Sequence, residues 1–131
     1  DSEKNKYLNK TNDELSGIEK FKFYCDVYSA IAKKYGNFFE HYFKNIESII
    51  QYVDSSKMDI VRQNYIQILL SQLSNYEIIG LYYYCLGSPL SNKLVGLIQQ
   101  YNIFKDLRKD DLWEQDDIDE MWRLRCNNLG I

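Results

Sequence analysis

The sequence predicts an all-α domain, an antiparallel bundle of about five to six helices. Three observations carry that reading. Apolar residues recur at spacings of three and four through most of the 131 residues, the period of a helix with one buried face. A single proline and few turn dipeptides argue against an all-β domain, which needs many punctuated short strands. The 45% hydrophobic content, with 12 Tyr, 6 Phe and 2 Trp, supplies one core, and the length suits one domain.

The elements follow in chain order. Residues 1–12 are polar and without a period, and read as an arm or linker. The bundle is expected over residues 13–107. Thr11-Asn12-Asp13-Glu14 has the form of a capping box, which satisfies orphan N–H groups at a helix start. Ile18, Phe21, Cys25, Tyr28, Ala32 and Tyr35 then trace a first stripe, with Gly36-Asn37 as its expected stop. A second stripe comprises Phe38, Phe39, Tyr42, Phe43, Ile46, Ile49, Ile50 and Val53. His41, Lys44, Asn45 and Glu47 belong to its polar face.

A loop over residues 54–57 precedes a third stripe of Val61, Tyr65, Ile68, Leu69 and Leu73. Ser74-Asn75-Tyr76-Glu77 is a second capping box, so a new helix begins at Ser74. Its body, through Leu86, is apolar or aromatic nearly all round and is expected to be the most buried element. Gly80 within it costs about 1 kcal/mol relative to alanine. That cost implies close approach by a neighbouring helix or by a ring such as Phe39. Gln72, one turn earlier, is placed to satisfy backbone groups where the third helix ends. Gly87-Ser88-Pro89 breaks the chain, and Leu90, Leu94, Leu97, Ile98 and Tyr101 form a fifth stripe. Residues 102–107 read as a helix exit folded onto the core. Residues 108–131 form an acidic, Trp-bearing segment, with a weakly docked helix expected around 116–126.

Charge and cysteine usage narrow the function. The net charge of -3 resides in the last segment, where seven acids face four basic residues. The remainder is near neutral, so there is no strong nucleic-acid signature, which would be a clustered basic face. Cys25, Cys85 and Cys126 are odd in number and widely separated. A disulfide framework or a zinc site is therefore not expected, and no metal or other cofactor is implied. No stretch reaches the roughly 18 apolar residues of a membrane span.

Catalytic patterns are sparse. There is no glycine-rich phosphate loop, and the single His41 cannot build a multi-histidine metal site. An R-x4-6-H ribonuclease motif fails as well. The positions five to seven before His41 are Gly36, Tyr35 and Lys34, and lysine lacks the bidentate fork of arginine. The acidic run at Asp116, Asp117, Asp119 and Glu120 lacks the glycine of a calcium loop.

The middle of the chain nevertheless carries a family resemblance. His41-Tyr42-Phe43-Lys44-Asn45-Ile46, followed by Ile49-Ile50-Gln51-Tyr52-Val53-Asp54, resembles a YFR-x-L-x-x-I-L-x-x-I-D pattern. The run from Tyr65 through Gln72-Leu73-Ser74 to Glu77 is similar to Y-x-x-I-L-R-A-Q-L-S-x-x-E. Leu81-Tyr82-Tyr83-Tyr84-Cys85-Leu86 resembles L-F-Y-N-x-L, and Leu97 through Leu107 resembles L-I-E-x-Y-x-L-F-x-N-L. Over residues 36–107 these blocks are similar to the putative phage abortive infection protein family of the AbiC type. Lys44, Leu70 and Tyr84 depart from its arginine, arginine and asparagine.

The resemblance implies a bacterial antiphage role. It also implies a domain on the cytoplasmic side, held at a membrane, if at all, by a segment absent from this chain. With no catalytic set in view, the expected function is sensing or binding of a phage or host protein component. His41, Lys44, Asn45, Glu47, Gln72, Trp113 and Trp122 are the candidate contacts, while Ser74, Glu77 and Gly80 are structural. A ribonuclease-type effector and a homo-oligomerisation module are the alternatives.

Overall fold

The computed structural model describes residues 17–107 and 118–131, and the described residues are helices and short connections. The helices are α1 (Gly17–Asp54), α2 (Asp59–Gln72), α3 (Asn75–Gly87), α4 (Asn92–Tyr101) and α5 (Ile118–Asn128). One 3-10 turn, Pro89–Ser91, joins α3 to α4, and another, Ile103–Asp106, follows α4. The arm over residues 1–12, the capping box at Thr11 and the side chain of Trp113 lie outside the described residues.

The long helix α1 is the spine, and it packs most extensively on α3. Gly36-Asn37 does not stop it. Cys25 and Phe43 are separated by about five whole turns at 3.6 residues per turn, so both stripes stay on one face. One continuous helix therefore presents Tyr28, Phe43, Ile46 and Ile50 to the main core and Tyr24 to a second apolar cluster. Against that burial the penalty of about 1 kcal/mol for a glycine inside a helix is small.

Helix α3 is central, with Leu81, Tyr82, Tyr84, Cys85 and Leu86 buried. Its start is the expected capping box. The Glu77 N–H donates to Ser74 Oγ at 3.1 Å, and the Ser74 N–H donates to Glu77 Oε1 at 2.9 Å. Two glycines set its distance from α1. A Cβ on Gly80 would lie 3.2 Å from Phe43 Cζ, so the approaching ring is Phe43 and not Phe39, which is exposed. A Cβ on Gly87 would fall 2.4 Å from Tyr28 Cβ, which leaves no room for a side chain.

Two apolar faces differ from the sequence reading. Phe39, Tyr42 and Ile49 are exposed on α1, as are Tyr65 and Ile68 on α2, where Ile66 is the buried residue instead. The reason is partner number. An apolar stripe wider than the one groove it faces leaves its flanks in water, and α2 meets chiefly α1. Gln72 is exposed as well. Its Nε2 lies 3.5 Å from Ser71 Oγ, so it does not satisfy the backbone at the α2–α3 junction. The far end of the bundle is closed from α4, where Gln100 Nε2 donates to Asp54 Oδ1 at 3.0 Å. The Tyr101 hydroxyl donates to the same oxygen.

Helix α5 docks firmly. Met121, Arg125 and Cys126 are buried on it, and its Trp122 joins the ring cluster of α3. The chain after Asn128 turns back, with the Ile131 N–H donating to Cys126 O at 3.0 Å.

Candidate functional site

The four sequence-predicted contacts on α1 separate into two groups. His41 and Asn45 are exposed. Lys44 folds across the surface instead of reaching out, donating from Nζ to Leu90 O at 3.1 Å and pairing with Glu47 Oε2 at 3.5 Å. Glu47 is buried, at 6% exposure. It occupies the fourth-residue position of the core stripe Phe43-Ile46-Glu47-Ile50, so its backbone aims it inward. The expectation that it sits on the polar face is thus corrected.

Inside, Glu47 Oε1 and the hydroxyls of Tyr84 and Tyr28 are buried without a hydrogen-bond partner among the described residues. Tyr84 stacks on Phe43, with ring centroids 4.9 Å apart, and meets Tyr28 edge-on at 6.2 Å. Burial, then the Glu47 carboxylate, pushes the Tyr84 phenol up to about 12. Burial, then Glu40, does the same for Tyr28. Both stay protonated at neutral pH and cannot serve there as bases.

The outward side of α1 is a different surface. His41, Tyr42, Asn45, Ser48, Ile49 and Tyr52 are all exposed. Their spacing places them on one helical face, opposite the core stripe. Tyr52 is the most open of its aromatic and aliphatic side chains, at 81%. The face is aromatic and aliphatic with polar edges, and it carries no Lys, Arg, Asp or Glu. Sequence reasoning found His41 and Asn45 there but assigned Tyr42 and Ile49 to the core.

A second location lies at the other side of α3. A pocket of about 280 Å³ opens between α3, α4, the Ile103–Asp106 turn and α5. Trp122 lines it, half-buried, with its indole N–H donating to Gln99 Oε1 at 2.7 Å. Phe104 meets Trp122 edge-on at 5.1 Å and Tyr82 edge-on at 5.6 Å. Asn102, Lys105 and Asp119 supply polar groups. Of these residues only Trp122 was marked by the sequence, because the pocket joins segments that share no local motif.

Arg125 is the least foreseen feature. Its buried guanidinium donates from Nε to Cys85 O at 2.7 Å. From Nη2 it donates to Asn92 Oδ1 at 2.6 Å, Ser91 Oγ at 3.2 Å and Ser88 O at 3.3 Å. A cation at the C-terminal end of α3 also complements the helix dipole. The sequence signal was present but faint: Met121 and Arg125 are one turn apart on the docking face. The three cysteines are free thiols, and burial pushes each above its ordinary value. They are poor nucleophiles, since the thiolate is the reactive form. No group of three or more His, Cys, Asp or Glu residues able to hold a metal ion occurs among the described residues, and no described helix is long and apolar enough to cross a membrane.

No curated protein and no solved structure matches the chain. The family described as "Putative phage abortive infection protein" matches over residues 34–112, a span that takes in the exposed α1 face, all of α2, α3 and α4, and the α4 side of the pocket. On that match across more than half of its length, the chain belongs to the putative phage abortive infection protein family.

Proposed function

We propose that this domain is a binding module of a phage-defence protein that recognises a phage or host protein through the outward face of α1. The observation that supports it is the uncharged row of Tyr42, Asn45, Ile49 and Tyr52, flanked by His41, inside the family-matched span. Tyrosine anchors in a neutral setting favour a protein surface, because they offer large rigid contact area at low entropic cost. A polyanion or an anionic lipid surface would need basic residues that this face lacks. Family membership supplies the antiphage setting, in which the domain works on the cytoplasmic side.

The test is plating efficiency of phage on cells making the full-length protein. Tyr52→Glu and Asn45→Glu lie on open surface and should leave stability within about 0.5 kcal/mol. They should abolish protection while the domain stays helical by circular dichroism. Unchanged protection in both variants would remove the reading. RNA cleavage by the purified domain that is lost in His41→Ala would replace binding by catalysis. Self-association lost in Tyr52→Glu, read by sedimentation, would make the face a contact between copies of the chain.

A further inference from the structure

The pocket beside Trp122 lies away from the α1 face and has a chemistry of its own. Gln99 satisfies the indole N–H of Trp122 from within the protein, so what the side chain still offers a ligand is its π face. Phe104 meets it edge-on with ring centroids 5.1 Å apart, and Tyr82 lies tilted to it at 6.4 Å, so its plane is held from two sides. A rigid, half-buried indole of this kind is a stacking platform for a flat ring, and it does not discriminate between one base and another.

The polar groups are arranged for more than stacking. Asn102 is the one non-glycine residue with positive φ among the described residues, at φ 50° and ψ 48°. Glycine adopts that conformation most cheaply. Asparagine adds a side-chain amide, donor and acceptor together, at the pocket. Its conformation is pinned by its own N–H, which donates to Gln99 O at 3.3 Å. Lys105 follows three residues later, inside the Ile103–Asp106 3-10 turn, and it lines the same pocket as Asn102. Lys105 is exposed and makes no ion pair among the described residues. Asp119, on the first turn of α5, brings a carboxylate to the same space.

We propose that this pocket binds a nucleoside monophosphate, with the base on the Trp122 indole and its edge read by Asn102. The phosphate lies on Lys105, and the ribose hydroxyls donate to Asp119. The volume of about 280 Å³ sits at the small end of ligand pockets. It admits one base, sugar and phosphate but not a dinucleotide. A polynucleotide is disfavoured by the acidic balance of the last segment and by the presence of one cation, Lys105, among the described lining residues.

Calorimetric titration of the unaltered chain with the four ribonucleoside 5′-monophosphates, the matching nucleosides, inorganic phosphate and L-phenylalanine tests this. At least one monophosphate should bind at one per chain, with its nucleoside about tenfold weaker, the loss of one charge-assisted contact. Lys105→Gln should bring the monophosphate down to the nucleoside's affinity and leave the nucleoside unchanged. Asn102→Gly, which the backbone accepts readily, should flatten the preference among bases. Trp122→Phe should weaken nucleoside and monophosphate alike. Absence of monophosphate binding at millimolar concentration would overturn the proposal. So would affinity indifferent to Lys105→Gln. Tighter binding of L-phenylalanine than of any monophosphate would reassign the pocket to an aromatic side chain.

Discussion

At the scale of single residues, Gly80 and Gly87 separate two kinds of close approach. The Cβ of an alanine at 80 would press on the far tip of the Phe43 ring, which can yield. At 87 it would strike Tyr28 at Cβ and Cγ, atoms that cannot move without the α1 backbone. Gly80→Ala should therefore change the denaturation midpoint little, since relief of the helix penalty offsets the contact. Gly87→Ala should cost about 3 kcal/mol or more, and Gly80→Leu about 1–3 kcal/mol. Ser74→Ala removes a single cap and should cost about 1 kcal/mol. A Gly87→Ala cost no larger than that of Gly80→Ala would contradict the packing of α3 on α1. Tyr84 carries the opposite expectation. Its buried hydroxyl has no partner among the described residues, so Tyr84→Phe should leave stability unchanged or raise it by up to about 1 kcal/mol.

At the scale of elements, what was legible in the sequence was local. The Ser74–Glu77 box spans four residues and carries its own geometry, so its reading and its bonds coincide. The body of α3 was legible because apolar residues on every side leave few ways to be placed. By contrast, Gly36-Asn37 is a stop only if nothing downstream continues the face, and the in-phase stripe beyond it decides otherwise. Glu47 was misplaced because a carboxylate in a core stripe looks polar in sequence while its backbone position points inward. Tyr42, Ile49, Tyr65 and Ile68 were misplaced because periodicity marks an apolar face without saying how many neighbours cover it. Arg125 was missed because its acceptors are carbonyls and neutral side chains, which leave no charge pattern to read.

At the scale of the whole molecule, three phenols tie stability to alkaline pH. Tyr28, Tyr84 and Tyr101 are each pushed up to about 12, burial being the first cause in every case. A raised folded value means that the folded chain keeps these protons longer than the unfolded chain does. Their contribution is full below about pH 10, the unfolded value, and is lost as pH rises through about 12. Denaturation midpoints should fall steeply across that window, after a smaller decline that starts at about pH 9, where the thiols of Cys25, Cys85 and Cys126 begin to ionise in the unfolded chain. Tyr101→Phe should make the fall shallower. The Arg125 clamp is the other device at this scale. Arg125→Met would leave Cys85 O and Asn92 Oδ1 without this donor and should cost about 3 kcal/mol. It should also make α5 the first segment cut in limited proteolysis. The clamp has a consequence for where this domain ends. Residues 34–112 are what the family match recognises, yet the carbonyls of Cys85 and Ser88 at the end of α3, which Ser91 reaches from within that span, take their charged donor from residue 125. A chain cut at 112 would keep the matched segment whole and still lack the side chain that finishes its central helix. The stretch that the family match spans is thus shorter than the stretch that supplies the contacts at the end of its central helix.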